Sequence, residues 1–556
     1  MRCRPAPLLL CASLLAACGG NDSGGGDDQP VVGDIQADIT HYDYAFDLDT
    51  RLAHAIVTAH VTAAGNCLSL PFRAQAPKNA MLGGEAATVS FDAATNTLET
   101  CNTTGVHDGD TTLELDVAIP EGTLSTSQVG FSKMVENGNA FYYLVSWVGG
   151  CDKFGPCDSR PNLFATYTFH VTHPATHMVA CPGVITETSE TETDCDFTLP
   201  GGPTYSTFGV AAYPRALWVP TDKGMWGSVH ATVYAAPTTL VDSKIDSAHH
   251  NAYVTWLEST FGPFPFGTEL RVLAAPTYWS GFEHPGNIVL DNSLGRATTP
   301  YAHPAQHVLD HEIAHQWAGD QTTLADTYDF VWKESMAEYL AYSYEAMTDP
   351  AAAGVTTRYW KAASAQAQFY PVPTQHPALF DYYSDVYGPG PMILFHQLEV
   401  LTSREQVIAA LQMVLGHAHA IGVTDVVAAL QTTTGLDLTD YAASWIYGND
   451  APAWPTADVT FAANSLHVKI TANIERRCKF HVRLVGTDPT QTMDVPVDTF
   501  HDGTDLTIPV TPGFAVASTV LDPLAECLVF PTTANLRVGP RIRPWLSPRG
   551  LASLPN

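Results

Sequence analysis

His311 and His315 stand four residues apart in Asp310-His311-Glu312-Ile313-Ala314-His315-Gln316-Trp317, with a glutamate beside the first. On a helix that spacing puts both imidazoles on one face a single turn apart, so they can converge on one ion. Glu312 then lies where its carboxylate reaches a metal-bound water without being a ligand, which suits a general base. One zinc ion fits such a set, because three protein ligands leave a fourth position for water and lower its pKa to about 7. The third ligand must come from a separate element. Val331-Trp332-Lys333-Glu334-Ser335-Met336-Ala337-Glu338-Tyr339-Leu340 reads as a helix offering Glu334 or Glu338, and spacing alone does not choose between them. Histidines at i, i+4 also occur as ordinary surface pairs, so the motif takes its meaning from its surroundings.

Three regions surround it. Residues 34–216 are rich in Thr, Val, Tyr and Gly, with alternating runs such as Ala165-Thr166-Tyr167-Thr168-Phe169-His170-Val171, and read as β-sheet. Residues 217–450 become mainly helical after Asp242. Lys244 to Phe261 carries apolar residues at helical spacing and stops at Gly262-Pro263. Ser403 to Leu415 is a further helix, with Thr402 and Glu405 as its expected capping box, and Thr439 to Tyr447 is another, stopped by Gly448. Residues 451–540 revert to strand alternation in Leu466-His467-Val468-Lys469-Ile470 and Lys479-Phe480-His481-Val482-Arg483-Leu484, before a tail at 541–556. No repeat of solenoid length is visible.

Against this background the chain resembles the gluzincin aminopeptidases, thermolysin-like zinc exopeptidases whose HExxH is followed by eighteen residues and a glutamate. Eighteen residues separate His315 from Glu334. His315-Gln316-Trp317-Ala318-Gly319 is similar to the family's HxWxG, and the stretch from Trp332 to Tyr339 to its WLNEGFAxY. The resemblance makes Glu334 the third zinc ligand and Glu338 a supporting residue. Ser280-Gly281-Phe282-Glu283-His284 stands where the family carries GxMEN, which implies that Gly281 and Glu283 bind substrate, Glu283 taking the free α-amine of a peptide. Tyr387-Gly388-Pro389-Gly390 resembles YxxG, whose tyrosine stabilises the oxyanion. Phe154 to Pro161 is similar to PCFDEP, and Phe261-Gly262-Pro263-Phe264-Pro265 to FGxYP.

The resemblance spans roughly residues 35–450 and implies a multidomain α+β protein. It would have an N-terminal β saddle domain (34–216), a thermolysin-like α/β catalytic domain (217–450) and a small C-terminal β-sandwich (451–540). The chain departs from the family where His284 replaces the asparagine of GxMEN, Phe282 its methionine, and Asp320 the asparagine after HxWxG. The family's second amine-binding residue, from the N-terminal domain, has only Ser146 and Asp152 as candidates between Tyr142 and Cys157. The expected activity is that of a zinc aminopeptidase acting on peptides. The alternatives are a zinc endopeptidase or other zinc hydrolase on the same fold, and a non-catalytic surface binding lipoprotein.

Composition and ends bound the setting. With 57 acidic and 26 basic residues the formal charge is −31, which repels nucleic acid. Residues 1–17 read as an export signal: Arg2 and Arg4 precede the apolar stretch Leu8 to Leu15, too short to span a bilayer. Leu15-Ala16-Ala17-Cys18 resembles the lipobox of bacterial lipoproteins, which implies acylation of Cys18 and a lipid anchor in the cell envelope. Gly19 rather than aspartate resembles outer-membrane sorting. The Gly- and Asp-rich run through residue 33 behaves as a flexible tether. Apart from Cys3, Cys11 and Cys18, eight cysteines remain, an even set that suits disulfides in an exported protein. Sequential pairing (67 with 101, 151 with 157, 181 with 195, 478 with 527) keeps each bridge within one expected domain.

Overall fold

The computed structural model describes residues 34–122, 129–198, 207–383 and 385–532. The expected signal, Cys18, the tether and the 541–556 tail lie outside them.

The first region is built on an eight-stranded sheet centred on Gln36–Asp47 and Leu52–Ala63. Gln36–Asp47 pairs antiparallel with Leu52–Ala63 and parallel with Thr166–Thr172, bringing Tyr42 opposite Tyr167 and Tyr44 opposite Phe169. The period-2 alternation seen in the sequence is the cause: Tyr42, Tyr44 and Phe46 all point inward and are buried, and their rings stack on those of the neighbouring strand. A four-stranded sheet (His177–Ala180, Phe208–Pro214, Asn139–Ser146, Gly130–Glu136) and a three-stranded one complete this part.

The central region combines a five-stranded sheet with a helical body. The sheet runs in the order Val219–Trp226, Val229–Ala235, Glu269–Ala275, Asn287–Asp291, Gly281–Phe282. The helical body includes α1 (Ser247–Phe261), α2 (Pro304–Ala314), α3 (Phe330–Thr348) and α4 (Pro350–Ser364). Nearly every residue of α3 is buried, as expected for a helix at the centre of a domain rather than on its surface. The last region is a sandwich of four-stranded and three-stranded sheets, the latter formed by Thr492–Asp498, Lys479–Gly486 and Val516–Leu521. All four sequential disulfides are present.

Three expected boundaries move. The helix expected from Lys244 begins at Ser247, because the Asp246 carboxylate accepts from Ala248 N at 2.9 Å and caps it there. Thr402 does not open the next helix: it closes Gln397–Leu401, while the Ser403 hydroxyl accepts from Gln406 N and caps Arg404–Val414. The helix expected over Thr439–Tyr447 winds normally only to Tyr441, then widens to a π-turn over Ala442–Ile446. Among the described residues no helix is long and apolar enough to cross a membrane.

Candidate metal centre and catalytic site

Helix α2 carries His311, and His315 follows one turn later at its end. Their Nε2 atoms face each other at 3.0 Å, and Glu334 Oε2 from α3 lies 3.5 Å from His311 Nε2 and 3.4 Å from His315 Nε2. The other ring nitrogens are committed. His311 Nδ1 donates to Glu338 Oε2 at 2.9 Å, and His315 Nδ1 donates to the Ala318 carbonyl at 2.9 Å. With both Nδ1 protons so used, neutral rings turn bare Nε2 lone pairs toward each other and toward a carboxylate, a donor set that requires a cation. Burial would push the His311 ring down, but its hydrogen bonds to Glu334 and Glu338 hold it at about 10, so positive charge is favoured here. A zinc ion satisfies the same demand with tetrahedral N, N, O ligation. Glu338, left open with Glu334 on spacing, turns away from this point.

Glu338 is the hub behind the metal site. Besides His311 it accepts from Tyr301 Oη at 2.8 Å, Trp360 Nε1 at 2.8 Å and His307 Nε2 at 3.2 Å. Burial opposes its charge, but the His307 cation and these bonds hold its carboxyl well below the usual range. Asp310, beside His311, accepts from His249 Nε2 at 2.7 Å and His250 Nδ1 at 3.0 Å, which fastens α2 to α1.

Glu312 is buried with its carboxylate within 4.8 Å of the His311 and His315 ligand atoms, and burial, reinforced by the charges of Glu283 and Glu334, raises its carboxyl well above the usual range. A β-carbon at Gly281 would lie 2.4 Å from Glu312 Oε1, so only glycine leaves room for this side chain. Tyr387 Oη donates to Glu334 Oε2 at 2.8 Å and is in close hydrogen-bond contact with Tyr383 Oη.

Glu283 is brought to the same cluster, its carboxylate within 4.8 Å of His315 and Glu334 ligand atoms. Its partners were not foreseen. Lys333 Nζ forms a short ion pair with Glu283 Oε1, and Trp147 Nε1 donates to the same oxygen at 3.2 Å. Of the two N-terminal-domain residues considered for this corner, Asp152 is engaged elsewhere, by Arg73 Nε at 2.6 Å. Trp147 takes the place instead, packed edge-on against Phe330 and Tyr383. His284 is fully buried with neither ring nitrogen hydrogen-bonded, and burial lowers it to about 3, so it is a neutral filler against Gly209. Asp320 is buried 3.4 Å from Gln316 Nε2, and burial with the Glu283 charge raises its carboxyl well above the usual range. Lys333 and Trp147 were missed because a lone lysine or tryptophan carries no spacing signal. The one available sign was that lysine precedes Glu334 where WLNEGFAxY has asparagine.

A helix bearing two imidazoles, a second helix supplying a carboxylate and a glutamate beside them form the arrangement expected from the resemblance to the thermolysin-like zinc metallopeptidases. Residues 249–445 match the model of the Peptidase family M1 domain. The fold is similar to that of Legionella pneumophila aminopeptidase A in complex with aspartic acid (TM-score 0.68, 15% identity), over 90% of this chain and 60% of the other, so the chain spans about 60% of that enzyme's length. It is also similar to an M1 zinc metallopeptidase mutant from Deinococcus radiodurans bound to a Tyr-Ser-Ala substrate (TM-score 0.59, 20% identity), over 75% of this chain and 95% of that one. A two-domain M1 zinc metallopeptidase mutant bound to L-tryptophan gives a TM-score of 0.60 at 20% identity, over 75% and 96% of the two chains. No curated protein matches the chain in sequence.

Proposed function

We propose that this chain hydrolyses peptide bonds, with His311, His315 and Glu334 holding one zinc ion and Glu312 as general base. The observation that carries this reading is the convergence of the three ligand atoms beside a buried, uncoordinated carboxylate. When bound, zinc supplies Lewis acidity, acidifying water to a pKa of about 7 and polarising a carbonyl. Glu312 takes the proton of the attacking water, and its raised basicity in a dry pocket suits that task. It then returns the proton to the leaving nitrogen. Tyr387 holds a hydroxyl beside the ligand cluster, where it donates to the oxygen that gains charge during attack.

Release of N-terminal residues is the reading supported by the position of Glu283 and by the likeness in fold to an aminopeptidase. The second reading, hydrolysis without recognition of a free amine, is favoured by the Lys333 ion pair on that same glutamate. Anchoring in the bacterial envelope through Cys18, with sorting to the outer membrane, belongs to the proposal and rests on the sequence Leu15-Ala16-Ala17-Cys18-Gly19. The test is a peptide-library digest by zinc-loaded protein beside its Glu312→Gln variant. The variant should keep its zinc and lose activity by about 10²- to 10⁴-fold. Unchanged turnover would remove Glu312 from the mechanism.

A further inference from the structure

Lys333 is fully buried, and a buried ammonium is tolerated only where carboxylates neutralise it. Its Nζ pairs with Glu283 Oε1 and lies 3.3 Å from Glu334 Oε1. The stem that carries it there runs past Gly319, whose φ is +137° and where a β-carbon would sit 2.6 Å from Lys333 Cε. The channel is therefore shaped for this side chain. Trp147 adds a second donor to the same Glu283 oxygen, so from the N-terminal domain this corner receives an N–H rather than another acceptor.

An α-ammonium group needs an unpaired carboxylate. Here that carboxylate's charge is already cancelled, and a second cation beside it would be repelled by Lys333 in a low-dielectric pocket. We propose that Lys333 is a built-in counter-ion occupying the amine subsite. On this proposal the chain cleaves bonds where the nitrogen of the residue donating the scissile carbonyl is an uncharged amide. Such an amide comes from an acylated N-terminus or from an internal position in a longer peptide. The inference rests on the metallopeptidase reading above and selects the substrate class within it.

The test uses three peptides sharing one scissile bond: free at the N-terminus, N-acetylated, and extended upstream by several residues. Cleavage is followed by kcat/KM, and binding by calorimetry on the zinc-loaded Glu312→Gln protein. The expected result is that the acetylated or the extended peptide is cut and bound at least as well as the free one, the better of the two identifying the source of the amide. In Lys333→Asn, with zinc content measured alongside, the free peptide should gain about tenfold relative to the acetylated one. Wild-type protein cutting the free peptide, and the Glu312→Gln protein binding it, about tenfold better than both others would overturn this proposal and leave the metallopeptidase reading standing. Zinc-loaded protein that neither binds nor cuts any of the three would overturn both.

Discussion

At the scale of single residues, the site is arranged so that each reactive group is fixed by a neighbour that does no chemistry. Glu312 keeps its place because Gly281 has no side chain, and the two imidazoles keep their tautomers because Glu338 and Ala318 take their Nδ1 protons. Tyr387 is the group most readily isolated: Tyr387→Phe removes one hydroxyl and leaves the ring packing. Loss of a donor to developing negative charge predicts a fall in kcat of about 10²- to 10³-fold, with zinc content and KM nearly unchanged, read by steady-state kinetics on one peptide. An equal fall in zinc content would show instead that its bond to Glu334 is what matters. The two histidines and Glu312 were legible in the sequence from local spacing, whereas Glu334, Glu283 and Tyr387 were marked out by the resemblance to the gluzincin motifs. The Lys333–Glu283 pair was not, since it joins residues 50 positions apart whose meeting depends on how α3 lies against the sheet edge.

At the scale of elements, α2 and α3 are held in register by a buried pair, His307 on the first and Glu338 on the second, 3.2 Å apart. Burial would lower the His307 ring, but the Glu338 charge outweighs it and raises it from 6.5 to about 10. A group whose pKa is higher folded than unfolded stabilises the fold fully below the unfolded value and loses that contribution as pH rises through the folded one. The zinc-loaded protein should therefore lose thermal stability as pH rises from about 6.5 toward about 10. His307→Gln should be less stable at neutral pH and flatter across that interval, as measured by thermal unfolding over a pH series. An identical slope in the variant would assign the loss to other groups. The helices themselves could be read from periodicity, but their ends could not. Asp246 and Ser403 decide those ends by capping bonds that compete with equally plausible neighbours such as Thr402.

At the scale of the whole molecule, the β regions frame the helical centre and contribute to it. Trp147 from the first region reaches the site. Arg476 from the last is buried against Tyr370, Trp445 and Trp454 and donates to the Ser444 and Ala453 carbonyls, locking the sandwich onto the central domain. Sequential disulfide pairing was legible because each bridge stays within one region, whereas the Arg476 contacts draw on residues scattered over a hundred positions. All of this scaffolding serves the claim that three side chains on two helices hold a catalytic zinc ion. The direct measurement is peptide cleavage and metal stoichiometry on one sample, as purified, after chelation, and after zinc is returned. The expected result is about one zinc per chain, with cleavage abolished on chelation and restored in proportion to the zinc regained. Full cleavage by the metal-free protein would contradict it.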